Sequence, residues 1–300
     1  PNLTTVGSQV KVQDNIELED FLAPVLHDVA TTVYLSNNPA LENLGLTQLT
    51  SVGTDLVVQE NPALEELTLA DLTEVGGKLS VSGNATLATM TIVQISTIGG
   101  SVLIYGNEQL TSLSLSALES ATGKVRLATM PALKTVGLDS LTMVTGDLEF
   151  SDLDVLDYLG LGTLTGVTGD FTFEFMPALN QLNPYSLEAV GGTVRVASSP
   201  SLNQLKLTAI TEIAGALNVQ GLPALSKLYA SALITAGDDV TIGNNNALSN
   251  LNLGSLATAS GALVITGNGL LNTLNLSSLE TVAGDFTISD SNVATLELPL

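Results

Sequence analysis

Apolar residues recur along this chain with a fixed period of 23 residues. With Val6 taken as position 1 of a repeat unit, twelve steps of 23 each reach an aliphatic residue, without insertion or deletion. Positions 5, 7, 13, 16, 18 and 21 are apolar columns as well, giving the consensus V-G-G-x-L-x-V-x-x-N-x-x-L-x-x-L-x-L-x-x-L-x-x. Position 1 holds Val6, Val29, Val52, Val75, Ile98, Ala121, Val144, Val167, Val190, Ile213, Ala236, Ala259 and Val282.

The spacing within a unit predicts strands joined by corners. The L-x-V and L-x-L segments, at positions 5–7 and 16–18, have the period of two that is typical of short strands. The small residues at positions 2 and 3, often a Gly pair, predict backbone with positive φ, and the many Thr, Ser and β-branched residues disfavour a helix. We therefore predict an all-β, parallel β-solenoid of about 13 coils, forming one continuous body over residues 1–300.

Position 10 is a polar column inside this apolar pattern. Asparagine amides that face inward at a corner can bond to turn backbone and to one another. Met, Leu and Ser replace Asn in mid-chain while the repeat continues unchanged, so we interpret the column as a structural ladder rather than as a ligand channel. The ladder residues are Asn15, Asn38, Asn61, Asn84, Asn107, Asn245 and Asn268.

The unit resembles the receptor L-domain type of leucine-rich repeat, as found in fungal GPI-anchored cell-wall proteins and bacterial surface proteins. Val75-Gly76-Gly77-Lys78-Leu79-Ser80-Val81 and Gly192-Thr193-Val194-Arg195-Val196 carry the resemblance, which covers essentially the whole chain. It implies a right-handed β-solenoid, secretion, and a cell-surface role in wall integrity, adhesion or recognition, without catalytic residues. The flanking cysteines and Ser/Thr stalks of eukaryotic members are missing, which favours a prokaryotic surface protein.

Composition narrows the classes of protein and partner. Hydrophobic residues make up 45% of the chain, too many for a disordered protein. The formal net charge of −22 argues against nucleic acid as a partner, and no apolar run is long enough to span a membrane. Cysteine is absent, which excludes disulfides and thiolate metal sites.

Residues for catalysis are scarce. His27 is the one histidine and falls at an outward turn position, where a surface role fits better than acid–base chemistry. Asp152 and Asp154 straddle a turn with no identifiable partner base or nucleophile. We therefore predict a protein that is not an enzyme and that has no organic cofactor.

The acidic residues are concentrated near the start of the chain. Residues 1–75 hold 12 of the 30 acidic residues and one basic residue, Lys11. Position 14 is Glu in three successive units, with further acids beside it at position 15. Such an oxygen-rich column suits Ca²⁺, although a solvated acidic edge that limits aggregation is the interpretation we favour. The column consists of Glu19, Glu42, Glu65, Asp20 and Glu66.

These patterns favour a non-enzymatic, extracellular structural or adhesive protein, a stiff spacer or fibre element at the cell surface. The alternative is a recognition module that binds a glycan or a protein along one sheet face. We expect the chain to be a segment of a longer repeat array; end-to-end or lateral self-association through uncapped coils is the other explanation for its repeat-like ends.

Overall fold

The computed structural model describes residues 2–300, which form two compact units, one ending at Gly160 and the other comprising Leu161–Leu300. The described coils follow the 23-residue repeat, with seven coils in the first unit and six in the second, except that Thr295–Glu297 of the last coil pairs one residue short of it. Strands of successive coils pair in parallel, and the described residues contain no helix. The prediction of an all-β parallel solenoid with about 13 coils is confirmed, while the prediction of one continuous body over residues 1–300 stays a prediction.

Each coil contributes three strands, one to each of three sides of its unit, and all of them pair in parallel. Sheet 1 contains Thr5–Val6, Asp28–Val29, Ser51–Val52, Glu74–Val75, Thr97–Ile98, Ser120–Ala121 and Met143–Val144 in the first unit, and Gly166–Val167, Ala189–Val190, Glu212–Ile213, Thr235–Ala236, Thr258–Ala259 and Thr281–Val282 in the second. Sheet 2 contains Val10–Gln13, Val33–Ser36, Leu56–Gln59, Leu79–Ser82, Val102–Tyr105, Val125–Ala128 and Leu148–Ser151 in the first unit, and Phe171–Glu174, Val194–Ala197, Leu217–Gln220, Val240–Gly243, Leu263–Thr266 and Phe286–Ser289 in the second.

The third side of each coil is less continuous in the first unit than in the second. Strands Asp20–Leu22 and Asn43–Gly45 form a pair, and Glu66–Thr68, Thr89–Thr91, Ser112–Ser114, Thr135–Gly137 and Tyr158–Leu159 form a five-stranded sheet. In the second unit, Gln181–Leu182, Gln204–Lys206, Lys227–Tyr229, Asn250–Asn252, Thr273–Asn275 and Thr295–Glu297 form a six-stranded sheet. We call this side of either unit sheet 3.

The apolar columns form the core of each unit. Every such position is fully buried in the coil that starts at Val52, and Phe150, Phe171 and Phe173 are the largest buried side chains. Each coil buries its aliphatic side chains against the coils above and below, so burial stabilises the stack rather than any single coil. The members of that one coil are Val52, Leu56, Val58, Leu64, Leu67, Leu69 and Leu72.

Strand placement differs from the sequence prediction in two ways. Sheet 3 strands occupy positions 15–17, with the inward Leu at position 16 as their centre; Leu69, at position 18, is already in the turn, where its N–H donates to Thr91 O at 2.9 Å. Sheet 1, at positions 23 and 1, was not predicted, because two residues are too few to show a period of two.

Positive φ occurs at position 9 of the repeat, not at the Gly pair. All thirteen position-9 residues have φ between 50° and 67°, although only four of them are glycine. The expectation for positions 2 and 3 is therefore wrong: glycine is used there because stacked coils approach closely, and a Cβ on Gly53 would overlap the carbonyl oxygen of Ala30 in the preceding coil. Position 9 holds Asp14, Asn37, Glu60, Gly83, Gly106, Thr129, Asp152, Phe175, Ser198, Gly221, Asn244, Gly267 and Asp290.

This geometry predicts a stabilising substitution. A β-branched residue in the left-handed region costs about 1–2 kcal/mol, and Thr129 has φ 54°. We expect Thr129→Gly to raise the free energy of unfolding by about 1 kcal/mol in urea denaturation, because it removes this strain. Thr135→Gly is the matched control: Thr135 starts an extended sheet 3 strand, where glycine should destabilise by about 0.5–1 kcal/mol. Equal effects of the two substitutions would contradict the explanation.

Candidate functional site

The position 10 asparagines of the first unit form a hydrogen-bonded ladder. Asn61 Oδ1 accepts from the backbone N–H and from Nδ2 of Asn38, both at 3.1 Å, and Asn84 Oδ1 receives the same two bonds from Asn61 at 3.1 and 3.3 Å. Asn84 Nδ2 also donates to Val58 O of the preceding coil at 3.0 Å, so this one side chain links two neighbouring coils. Asn38, Asn61, Asn84 and Asn107 are fully buried. Asn15, which heads the ladder, is exposed.

The second unit also has a ladder at position 10, which contains Asn245 and Asn268. Asn245 N–H donates to Asn268 Oδ1, and Asn268 Nδ2 donates to Ile242 O at 2.8 Å. At Met130, whose counterpart in the next coil is Leu153, the backbone N–H donates to Asp152 O at 3.3 Å instead of to a side chain. The buried amides bond to backbone carbonyls of the neighbouring coil and to one another, and this geometry fits a structural ladder.

The acidic column lies on the outside of the first unit. Glu19, Glu42, Glu65, Asp20 and Glu66 are all exposed. Asn43 Nδ2 donates to Asp20 Oδ1 at 2.6 Å, and Glu66 accepts from the hydroxyl of Thr68. Among residues 2–300 there is no group of three or more His, Asp or Glu side chains placed to hold a metal ion.

Calcium binding at this column stays a prediction that one measurement decides. Exposed carboxylates at coil spacing repel one another, so we expect Glu42→Gln to stabilise the protein by about 0.2–0.5 kcal/mol at low salt, and the gain to disappear at about 0.5 M NaCl. Thermal melts with and without millimolar Ca²⁺ test whether the acidic column binds calcium. A rise in melting temperature that Glu42→Gln removes would establish a site, and an unchanged melt would leave only the solvated acidic edge.

The residues weighed as catalytic candidates have structural partners. His27 Nδ1 lies 3.1 Å from Gln48 O in the next coil, and its backbone N–H donates to Thr4 O. Asp152 is one of the position 9 residues with positive φ.

Most cations of the first unit lie on the outer face of sheet 2, where they are paired. Lys124 Nζ lies 2.9 Å from Glu149 Oε2 and 3.2 Å from Asp147 Oδ2. The hydrogen bond that Lys124 donates to Glu149 is the main cause that raises the pKa of Lys124. Arg126 Nε is 3.0 Å from Glu149 Oε1, although without the alignment of a hydrogen bond, and its guanidinium lies over the ring of Tyr105.

The other basic residues on sheet 2 follow the same rule. Lys78 faces Asp55 at 4.0 Å, Lys11 lies over the ring of Tyr34, and in the second unit Arg195 pairs with Glu174. Arg126 and Glu149 are register partners on adjacent strands. These exposed or half-exposed pairs contribute about 1 kcal/mol or less each, and they leave little free positive charge on this face.

A second polar surface, which the sequence analysis missed, lies on sheet 3 of the second unit. Its outward positions 14, 15 and 17 carry mostly asparagine and glutamine from Asn180 to Asn275, with Lys206, Lys227 and Tyr229 among them. The signal was present in the sequence as five successive units without an acidic residue at these positions, but positions 14 and 15 were compared only for the acidic residues of the first units.

Comparisons with known proteins found similarity to a solved structure, but no protein-family model and no curated protein matches the chain. A leucine-rich repeat protein from Bacteroides ovatus is similar in structure, with a TM-score of 0.31 and 14% sequence identity over 95% of this chain and 88% of that protein. Residues 2–300 contain no helix that could cross a membrane. By its own repeat and strand pairing, this chain is a parallel β-solenoid of leucine-rich, 23-residue units.

Proposed function

We propose that this protein is a non-enzymatic, extracellular structural or adhesive element, a stiff spacer on a microbial surface. One observation carries the proposal: within each unit every coil bonds to the next in the same register, 23 residues apart, in sheets 1 and 2 and through most of sheet 3. The buried asparagines add a fourth line of bonds. Load applied to a coil is therefore shared among several parallel rows of hydrogen bonds.

A pulling experiment tests the mechanical part. With the chain held by handles at its two ends, a stack of equivalent coils should release length in multiples of one coil, about 80 Å for 23 residues. Smooth extension at low force, as for a disordered chain, would contradict the proposal.

The surface location rests on the resemblance of the repeat motif to wall and surface proteins, and cell labelling tests it. Antibody against the chain should bind intact cells of the source organism. Binding that requires permeabilised cells would overturn this part of the proposal without affecting the mechanical result.

The alternative function is recognition of a glycan or a protein along one sheet face, and the polar surface on sheet 3 of the second unit supports it. Among residues 2–300, that surface forms no ion pairs of the kind that occupy sheet 2. Self-association, end to end or lateral, is a separate proposal: sedimentation velocity over a hundredfold concentration range would reveal it as an increase in sedimentation coefficient.

A further inference from the structure

The surface on sheet 3 of the second unit has an unusual composition for so acidic a chain. We call it the amide face: the outward residues at positions 14, 15 and 17 in five successive coils. Nine of them are amides and none is a carboxylate, whereas the same positions of the first unit hold Glu19, Glu42 and Glu65. The amide face consists of Asn180, Gln181, Asn183, Asn203, Gln204, Lys206, Ser226, Lys227, Tyr229, Ser249, Asn250, Asn252, Asn272, Thr273 and Asn275.

Two of these amides are held with their donor groups free. Asn252 Oδ1 accepts the N–H of Gly254 at 2.9 Å, and Asn275 Oδ1 accepts the N–H of Ser277 at 2.9 Å. Neither Nδ2 atom has an acceptor among residues 2–300. Asn252 and Asn275 are register partners on adjacent strands, so their NH₂ groups repeat at the strand spacing of about 4.8 Å. Fixed, repeated donors of this kind suit a ligand rich in hydroxyl or carboxylate oxygens.

A shallow groove beside these amides contains an exposed aromatic ring. It has a volume of about 250 Å³ and is lined by Lys227, Tyr229, Ser231, Asn250 and Asn252. Tyr229 is 38% exposed and is the register partner of Asn252. A tyrosine ring offers an apolar face and a polar hydroxyl together, which matches a sugar ring, whose C–H groups lie on one face and whose hydroxyls lie at the edge.

The positive charge of the amide face is not neutralised by the protein. Among residues 2–300, Lys206 and Lys227 form no ion pair, unlike the lysines of sheet 2. Lys227 lines the groove, and Lys206 is the register partner of Tyr229 on the neighbouring strand. On a chain of net charge −22, free cations without neighbouring carboxylates on the same face favour an anionic ligand at this place.

We propose that the amide face binds a polysaccharide that carries carboxylated sugars, with Tyr229 packing on a sugar ring, Asn252 and Asn275 donating to its oxygens, and Lys206 and Lys227 pairing with its carboxylates. This inference rests on the recognition alternative above and names its face and its ligand class.

Affinity electrophoresis of the full chain, in EDTA, tests the proposal with three polymers. Polygalacturonate should retard the protein, and the effect should weaken as NaCl rises from about 50 to 300 mM. Dextran has the hydroxyls without the charge and poly-L-glutamate the charge without the sugars, so both should bind at least about tenfold more weakly. No retardation by polygalacturonate, or equal retardation by either of the other polymers, would overturn the assignment.

Variants locate the site. Tyr229→Ala, Asn252→Ala and the double change Lys206→Gln with Lys227→Gln should each weaken polygalacturonate binding about tenfold, and Tyr229→Phe should retain most of it. Tyr158→Ala, on sheet 3 of the first unit, and Lys134→Gln are matched controls and should bind normally. If the controls lose as much affinity as the face variants, binding is not at the amide face. Unchanged melting curves confirm folding, and the pulling experiment stays independent of either result.

Discussion

Replacing Asn61 with leucine, a residue of similar volume, will lower the free energy of unfolding by about 3–5 kcal/mol. Asn61 is fully buried. Its Oδ1 serves the N–H and Nδ2 of Asn38, and its Nδ2 donates to Leu35 O at 3.2 Å. Leucine would leave the N–H of Asn38 buried without its acceptor, and Asn38 Nδ2 would keep only its bond to Val12 O. Leu35 O would lose the donor that Asn61 provides. Each lost bond costs about 1–3 kcal/mol, partly relieved by relaxation.

Met130→Leu is the matched control, because it changes the same repeat position where the ladder is already interrupted. Met130 is fully buried and its N–H bonds to Asp152 O rather than to a side chain. A volume-conserving swap there should cost less than about 1.5 kcal/mol. Urea denaturation of both variants measures the difference. A loss below about 1 kcal/mol for Asn61→Leu would show that the ladder is not an important source of stability.

The ladder was predictable because inward positions of a repeat are constrained in every coil. Asn61 and Asn84 occur at a constant offset from the aliphatic anchors, and a one-dimensional stack places such residues over one another. Leu67 and Leu69 were both correctly predicted to point inward. The prediction that one strand contains both was wrong, because the strand ends at Thr68 and Leu69 lies in the following corner.

The backbone at position 9 and the amide face could not be predicted in the same way. Thr129 and Phe175 are poor formers of left-handed backbone, so their identity concealed a conformation that the rest of the coil imposes on them. Outward residues such as Tyr229 and Asn252 differ from coil to coil, and their significance depends on what lies beside them on the neighbouring strand. The fold therefore follows from the repeated residues, whereas the proposed binding chemistry lies in those that do not repeat.

Truncation of Phe173 is the second change with a large expected effect. Phe173 is fully buried, and its ring centroid lies 4.5 Å from that of Phe171, at an angle of 38° between the ring planes. We expect Phe173→Ala to lower the free energy of unfolding by about 3–5 kcal/mol. The coil is held on three sides by sheets whose register fixes the distance to its neighbours, so it cannot collapse around the cavity.

Phe175→Ala is the matched control, since it removes the same side chain two residues farther along the coil. Phe175 is 51% exposed and has φ 55°, so its truncation should change stability by less than about 1 kcal/mol. Phe175→Gly should even stabilise the protein by about 1 kcal/mol, because glycine removes the left-handed strain. Chemical denaturation of the three variants measures the differences, and similar losses for Phe173→Ala and Phe175→Ala would contradict the assigned burial. Because each coil is supported only by its neighbours, a cavity in one coil weakens the stack that the proposed spacer role requires.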